Sequence, residues 1–185
     1  MGRRILFLGP PGAGKGTQAE MLARALGIPH ISTGVMLREA IAEGSDLGRQ
    51  VDAVVSSGAL VSDDLVLAIV EDRLAKDDAR CGYLLDGYPR NVAQAAALAG
   101  VAGEDGIEVA ILLEVDADEL VSRLLNRAAE QGRSDDSEDV IRHRLDVYDT
   151  ETAPLVEFYA DRLVVVDGLG DVDDVFGRIV RSLAR

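Results

Sequence analysis

Cysteine and lysine are nearly absent from this sequence of 185 residues. Cys81 is the only cysteine, which excludes an intrachain disulfide and a zinc site built from cysteine thiolates. We expect it to be an ordinary core or surface residue, because free cysteine usually packs as a small hydrophobe. Lysine occurs only twice, as Lys15 and Lys76, against 17 arginines. Because lysine is so rare in this chain, the residues that surround Lys15 are informative about a role of its charge.

Positive charge as a whole is scarce. The formal net charge is −14 and the sequence pI is about 4.5. Proteins that bind the nucleic-acid backbone need a dominant basic face, so this balance argues against a nucleic-acid partner. An acidic field also repels free nucleotides at long range. Any site for phosphate must then be a local positive enclosure within an acidic protein.

Long apolar runs and targeting segments are also missing. No apolar stretch approaches the ~18 residues of a membrane helix. Arg3 and Arg4 precede only four apolar residues, whereas the core of a signal peptide needs roughly seven or more. Leu6 stands where an N-myristoylation signal requires Ser or Thr. We expect a soluble cytoplasmic protein with no membrane partner.

Short apolar runs alternate with longer segments of helical period along the chain. The runs are Ile5–Leu8, Tyr83–Leu85, Val109–Val115 and Leu163–Val166. Near-continuous apolar runs are typical of strands covered on both faces, as in a parallel sheet. His30-Ile31 is a weaker candidate for a further strand. The alternation predicts an α/β fold, with a doubly wound, five-stranded parallel sheet and helices on both faces.

Helix start signals occur between these runs, and two stretches break the alternation. Asp116–Glu119 resembles a capping box that opens a helix to about Ala129, and Ser62 or Asp63 can cap a helix through Leu74. Residues 32–61 predict helical pieces with no strand between them, and residues 127–137 are short and polar. Two interpretations are open: mobile inserts at the ligand edge of the sheet, or a helical crossover and a surface loop. Spacing alone slightly favours the second.

The strongest motif is GPPGAGKGT at Gly9–Thr17, between the first predicted strand and a helix to about Leu26. Glycines let successive backbone N–H groups turn around phosphate oxygens, and the helix N-terminus adds partial positive charge. Lys15 would place a full charge on the β- and γ-phosphates. Gly16 stands where the general P-loop pattern has Ser or Thr, and Thr17 supplies the hydroxyl one residue later. A glycine-rich turn without ligand is the alternative, but the context favours a nucleoside triphosphate site.

A second motif, GYLLDGYPR, spans Gly82–Arg90. A predicted strand ends in Asp86, and a tight turn then presents Arg90. The carboxyl ends of parallel strands share one edge of a sheet, so this turn is expected to face the phosphate-binding loop. A single carboxylate suits hydrated Mg²⁺, which keeps most of its waters and accepts few protein ligands.

Together, Gly9–Thr17 and Leu85–Arg90 resemble adenylate kinases, a family of nucleoside monophosphate kinases, in their short-lid form. The resemblance continues in order through residues 32–38, 58–61, 94, 123–127, 132–136 and 142–145. It implies a P-loop NTPase fold over residues 1–185 and reversible transfer of the γ-phosphoryl group of Mg·ATP to AMP, giving two ADP. It also implies an AMP-binding insert at 32–61, a short lid at 127–137 without the zinc of some long-lid members, and a monomer.

The resemblance assigns a role to each matching position. ATP would be held by Gly12, Ala13, Gly14, Lys15, Gly16, Thr17, Arg123, Arg127 and, near its adenine, Gly170. AMP would be held by Thr33, Arg38, Ala59, Leu60, Val61, Gly87, Tyr88, Pro89, Arg90, Gln94, Arg133 and Arg144. The catalytic set is Lys15, Arg90, Arg127, Arg133 and Arg144, and Asp86 would bind Mg²⁺ through water. No base of unusual pKa is needed, because phosphoryl transfer depends on positioning and neutralised oxygens.

Several of these residues have simpler interpretations. Arg123 lies four residues after Glu119 and can form an ordinary surface ion pair on one helix face. Gln94 lies three residues after Asn91 and can complete a capping box. Val35 replaces an acidic residue that is usual in the family after Thr-Gly, which puts affinity rather than the reaction in doubt. His30 and His143 are expected to be structural.

Two other functions remain open from the sequence. A UMP/CMP kinase shares the phosphate cradle, the Asp-Gly-aromatic-Pro-Arg turn and a short lid. A nucleotide-binding regulatory module without turnover is the alternative outside enzymes, and the complete set of Lys15, Arg90 and the other arginines argues against it. ATP consumption that depends on an added monophosphate distinguishes a kinase from such a module.

Overall fold

A computed structural model describes residues 3–102, 106–131 and 137–184 of the chain. Within them, the strands β1 to β5 are Arg4–Leu8, His30–Ser32, Tyr83–Asp86, Val109–Glu114 and Leu163–Asp167. All pairings are parallel, in the order β2-β3-β1-β4-β5. The predicted five-stranded parallel sheet is confirmed. The weaker candidate at His30-Ile31 is a real strand at one edge of the sheet.

The near-continuous apolar runs arise because both faces of the sheet are covered. In β1, Ile5 and Phe7 belong to one core cluster, whereas Leu6 and Leu8 belong to the other. All four side chains are at most 3% exposed. Alternate residues of a strand point to opposite faces, so a strand between two helical layers must be apolar at every position. The sheet is doubly wound, as predicted.

The helices follow the predicted segments closely. They are α1 Lys15–Leu26, α2 Thr33–Ala42, α3 Asp46–Ser56, α4 Asp63–Leu74, α5 Val92–Ala102, α6 Ala117–Gln131, α7 Glu138–Val147, α8 Leu155–Phe158 and α9 Val172–Leu183. A π-helical segment, Tyr148–Thr152, follows α7. None of the helices in the described part of the chain has both the length and the apolar character needed to cross a bilayer.

Helices α2 and α3 form the strandless stretch that the sequence predicted. Ser45 caps α3, since its hydroxyl accepts from Gly48 N at 3.1 Å while donating to the Ala40 carbonyl oxygen at 2.9 Å. A Cβ at Gly48 would lie 2.0 Å from that same carbonyl oxygen. Only glycine therefore permits this close approach of the two helices.

The strand order determines where a ligand can bind. Strand β1 lies between β3 and β4, and the chain leaves its carboxyl end through the phosphate-binding loop, Gly9–Thr17. Phe7 of β1 is in register with Asp86 at the end of β3, and Ser32 at the end of β2 is also in register with Asp86. In open α/β sheets the crevice at such a point is the usual ligand site.

Candidate active site

A cleft of about 1480 Å³, including its opening to solvent, lies at the carboxyl edge of the sheet. The phosphate-binding loop lines one side through Gly12, Gly14, Lys15, Gly16 and Thr17. Arginines from four other segments line the rest, namely Arg38, Arg90, Arg123 with Arg127, and Arg144. Arginine forks match phosphate oxygens in a bidentate way. This cleft is the local positive enclosure that a phosphate site in an acidic protein requires.

Lys15 lies at the base of this cleft, half-buried. Its ammonium group donates to the carbonyl oxygens of Gly9 at 2.6 Å and Pro10 at 2.9 Å. Burial, together with the charges of nearby arginines, lowers its pKa to about 8, although Asp86 acts in the opposite direction. Neutral carbonyl oxygens replace hydration without supplying a countercharge. An incoming polyphosphate would add its negative charge to that of Asp86.

Asp86, at the end of β3, lines the same cleft as the loop and is 8% exposed. The Ser32 hydroxyl donates to its Oδ2 at 3.3 Å. His30 Nε2 is 3.5 Å from the same oxygen, but makes no well-formed hydrogen bond within the described residues. Burial alone would raise the pKa of Asp86, yet the neighbouring His30, Lys15 and Ser32 hold it below its ordinary value. The carboxylate is therefore ionised at neutral pH.

A single ionised carboxylate of this kind suits Mg²⁺ better than it suits a metal ion that takes all of its ligands from the protein. Among the described residues, no group of three or more His, Cys, Asp or Glu side chains forms a metal cage. Asp86 Oδ2 would be 3.7 Å from a Cβ at Gly16, so the carboxylate faces the start of α1. Mg²⁺ commonly takes one or two carboxylates and completes its shell with water and substrate phosphates.

A second cavity, of about 580 Å³ with its opening, adjoins the cleft. It is lined by most of the residues expected at the acceptor, namely Thr33, Arg38, Ala59, Leu60, Val61, Gly87, Arg90, Gln94 and Arg144. The Gly87 carbonyl oxygen joins two of its walls. It accepts from Thr33 Oγ1 at 2.9 Å and from Arg90 Nε at 2.9 Å. The start of α2 is thereby fixed to the turn after β3.

Gln94 lines this cavity and also takes part in helix capping. The Gln94 backbone N–H donates to Asn91 Oδ1 at 2.8 Å, so Asn91 caps α5. Its side-chain Oε1 accepts from Arg90 N at 2.7 Å, one residue before the position that a capping box would use. The simpler interpretation of Gln94 is thus correct in part. It does not exclude ligand contact, because an amide has two donor hydrogens and two acceptor lone pairs.

Residues 7–164 match the family model for adenylate kinase. The chain is 53% identical over 186 residues to the adenylate kinase of Kocuria rhizophila, covering 98% of this chain and 99% of that relative. It is 51% identical to that of Stenotrophomonas maltophilia strain R551-3 and 52% identical to that of Synechococcus sp. strain WH7803, over at least 97% of each chain. The chain belongs to the adenylate kinase family.

The resemblance to adenylate kinases inferred from the motifs is thereby confirmed. Among the described residues, four of the positions carried over from the family do not line the two cavities above, namely Ala13, Tyr88, Pro89 and Gly170. Tyr88 is fully buried, and its hydroxyl donates to the Gln94 carbonyl oxygen at 3.3 Å. Pro89 lines a neighbouring cavity of about 570 Å³ beside Lys15 and Arg144. Arg133 lies outside the described residues.

A further cavity, of about 700 Å³ with its opening, adjoins the loop on the side of β5. Ala13, Thr17, Arg123 and Gly170 line it, and these are positions that the adenylate kinase resemblance assigns to ATP. The Glu119–Arg123 pair expected from their spacing forms at 2.7 Å. Both terminal nitrogens of Arg123 also donate to the Gly168 carbonyl oxygen at 3.2 Å. The guanidinium group is thus held at the cavity wall by its own helix and by the loop after β5.

Three residues of the site region were missed by the sequence analysis. Gln18 lines the cavity near Gly170, is 3% exposed and donates to the Val172 carbonyl oxygen at 2.9 Å. Thr152 donates to the Arg90 carbonyl oxygen at 2.7 Å. Asp63 accepts from Gln94 Nε2 at 2.7 Å. Gln18 follows Lys15 by three residues on α1, a spacing that could have drawn attention to it. Thr152 and Asp63 carry no comparable signal.

Proposed function

We propose that the protein is an ATP:AMP phosphotransferase, which reversibly transfers the γ-phosphoryl group of Mg·ATP to AMP and produces two ADP. One observation carries the proposal. In a member of the adenylate kinase family, the phosphate-binding loop and the arginine-lined acceptor cavity open onto a single positively charged cleft. The family matches do not favour a UMP/CMP kinase. A binding module without turnover has no support from relatives that are all named as kinases.

The cleft supports catalysis by positioning and charge neutralisation. Phosphoryl transfer needs the donor and acceptor oxygens in line and the equatorial oxygens neutralised. We assign neutralisation to Lys15 from the loop side, and to Arg90, Arg127 and Arg144 from the facing segments, with Arg133 as a further member. An arginine aimed at the transferring group contributes ~10³–10⁵ in rate in phosphoryl-transfer enzymes.

We assign Mg²⁺ to Asp86 through bridging water. Support comes from the ionised, nearly buried carboxylate at the cleft and from the single-carboxylate chemistry that Mg²⁺ accepts. Mg²⁺ held there together with ATP would supply positive charge beside the phosphate oxygens. Asp86 itself needs to remain ionised, and the Lys15 charge, the Ser32 hydroxyl and the contact with His30 all favour that state.

We assign the acceptor nucleotide to the cavity beside α2 and α3. The cleft arginines Arg38, Arg90 and Arg144 line both this cavity and the cleft, so the α-phosphate of AMP can meet the γ-phosphate of ATP there. We place the base against Gln94 and the chain at Ala59–Val61, which line the same cavity. Residues 32–61 then act as the AMP-binding insert, and residues 127–137 as a lid that closes over the phosphates.

The experiment that tests this proposal is a panel of AMP, GMP, CMP and UMP, each offered with Mg·ATP. We expect strong preference for AMP, because the Gln94 amide can pair with the 6-amino group and N1 of adenine. Penalties of ~1–3 kcal/mol per unsatisfied polar group give roughly 5- to 150-fold discrimination. Gln94→Ala should raise the KM for AMP with little change in that for ATP. Equal turnover of CMP or UMP by the wild-type protein would overturn the adenylate assignment.

The oligomeric state and cellular location are also part of the proposal. We expect a monomer, because an insert and a lid need room to move, and a cytoplasmic protein that does not bind nucleic acid. Support for the last point is the net charge of −14. Light scattering at micromolar concentration tests the first expectation, and a mass near twice 19.7 kDa would contradict it.

A further inference from the structure

The side chain of Gln94 is held at both ends. It is 3% exposed at the wall of the acceptor cavity. Its Oε1 accepts from the Arg90 backbone N–H at 2.7 Å, and its Nε2 donates to Asp63 Oδ1 at 2.7 Å. The first partner can only donate and the second, as a carboxylate, can only accept. The two contacts therefore agree on which end of the amide is oxygen and which is nitrogen.

Asp63 is itself held in place by a third residue. Asn91 Nδ2 donates to its two carboxylate oxygens, at 3.1 Å to Oδ1 and 3.3 Å to Oδ2. Asn91 Oδ1 in turn accepts from the Gln94 backbone N–H at 2.8 Å. Asp63, Asn91 and Gln94 thus form a closed triangle of hydrogen bonds. The triangle joins the first turn of α4 to the first turn of α5, next to the cavity residues Ala59–Val61.

We propose that Asp63 is a positioning residue that selects for the base of the acceptor nucleotide by fixing the Gln94 amide. This inference rests on the proposed function, since it assumes that AMP occupies the cavity lined by Gln94. After its two internal bonds, the amide has one N–H and one oxygen lone pair left for a ligand. Adenine offers a matching pair, with an acceptor at N1 and a donor at the 6-amino group.

Six-oxopurines reverse that pattern, because hypoxanthine carries a donor at N1 and an acceptor at position 6. An amide held at both ends presents mismatched groups to such a base, and the buried polar groups left unpaired penalise its binding. Without Asp63, only the Oε1 end remains held by Arg90 N–H. The Nε2 end can then rotate about that contact, so the site fits adenine less well and rejects hypoxanthine less strongly.

The test compares AMP and IMP as acceptors, with Mg·ATP saturating, in the wild type, Asp63→Ala and Asp63→Asn. IMP isolates the reversed pattern without the extra amino group of guanine. We expect Asp63→Ala to raise the KM for AMP and to lower the AMP-to-IMP ratio of kcat/KM by about tenfold. The kcat for AMP should stay within twofold of the wild-type value. Asp63→Asn keeps an acceptor oxygen for Gln94 Nε2, so it should recover most of the ratio.

Asp64→Ala is the matched control. Asp64 is exposed in the same first turn of α4, so this variant also removes one acidic side chain from the helix N-terminus. It should leave the AMP-to-IMP ratio unchanged. The ratio is measured on one preparation with two substrates. Partial unfolding of a variant lowers both activities by the same factor and leaves the ratio unchanged.

The outcomes separate the two hypotheses. A wild-type protein that does not phosphorylate AMP would overturn the proposed function itself. Wild-type preference for AMP together with an unchanged ratio in Asp63→Ala would leave that function standing and overturn the role of Asp63. An equal fall of the AMP-to-IMP ratio in Asp64→Ala would also overturn the role of Asp63. The effect would then come from removing a negative charge from the first turn of α4, and not from the contact with Gln94.

Discussion

The Lys15 ammonium group donates to the carbonyl oxygen of Gly9, six residues earlier in the same loop, at 2.6 Å. The loop therefore wraps around its own lysine. Burial in this position lowers the pKa of Lys15 from 10.5 to about 8, an effect strengthened by Arg90, Arg144 and Arg127. The charge of Asp86 offsets this effect only in part, so the charged ammonium group remains a cost to the folded state that phosphate binding can reduce.

The first prediction follows from that pKa. Between pH 8 and 10.5 the unfolded chain keeps a proton on Lys15 that the folded chain has released. Wherever the unfolded state binds more protons, stability rises with pH. We expect the free energy of unfolding of the wild type, minus that of Lys15→Met, to increase across this window by up to ~1.4 kcal/mol per pH unit. Urea unfolding without nucleotide, at half-unit pH steps, measures it.

Below about pH 8 this difference should be flat, because Lys15 is protonated in both states of the wild type. Other titrating groups are common to the two proteins and cancel. A difference that is constant from pH 7 to 10 would contradict the lowered pKa.

Lys15→Met should also lose most phosphotransferase activity while remaining folded, since the side chain faces the cleft.

The second prediction concerns the contact between Gly58 and Arg144. Gly58 has φ +77°, and a Cβ there would lie 2.7 Å from Arg144 Cγ and 2.9 Å from Val140 Cγ1. Gly44 has φ +64° with nothing within 4 Å of the corresponding Cβ. Alanine at either position should cost roughly 1–2 kcal/mol of stability through backbone strain. Only Gly58→Ala should displace Arg144, lowering kcat/KM for AMP about tenfold or more.

Steady-state kinetics on both variants, with denaturation curves for each, makes this comparison. Gly44→Ala controls for the strain because it shares the left-handed backbone but not the contact. If Gly58→Ala and Gly44→Ala keep equal kcat/KM for AMP, the position of Arg144 does not depend on Gly58.

The third prediction concerns the packing of α2 against α3. A Cβ at Gly48 would lie 2.0 Å from the Ala40 carbonyl oxygen, so Gly48→Ala must separate the two helices. Overpacking of this kind costs typically 1–3 kcal/mol. Gly100, exposed within α5, has nothing within 4 Å of its Cβ. Gly100→Ala should instead stabilise by ~0.5–1 kcal/mol through helix propensity. Chemical denaturation of the pair distinguishes the two effects, and similar changes in both would refute the packing argument.

The fourth prediction concerns closure over the phosphates. Arg123 and Arg127 line the cleft from α6, and Arg144 lines it from α7, on the two sides of the expected lid. We expect a ligand of two adenosines joined by five phosphates to protect residues 123–137 from amide exchange, because it presents phosphates to all three arginines at once. AMP alone should protect them little and bind far more weakly. Equal exchange with and without the two-headed ligand would exclude a closing lid.

Local patterns were enough to predict most of the fold. The apolar runs predicted four of the five strands to within one or two residues, and the fifth, His30–Ser32, was the weaker candidate at His30-Ile31. It gave little signal because it is a three-residue edge strand with one buried side chain, Ile31. The end of β3 at Asp86 and the start of α1 at the phosphate-binding loop could likewise be predicted from the sequence. Motif order then identified the family.

The order of residues along the chain therefore encodes what depends on near neighbours: strands from near-continuous apolar runs, helix starts from caps, and a phosphate loop from glycines before a lysine. Which distant side chains share a hydrogen bond depends instead on the folded arrangement of the chain. Asp63 meets Gln94 across 31 residues, Thr152 meets the Arg90 carbonyl across 62, and Gln18 meets that of Val172 across 154. Such pairs depend on how helices from separate segments pack on the sheet. No periodicity records that packing, because each partner looks like an ordinary polar residue within its own helix or turn.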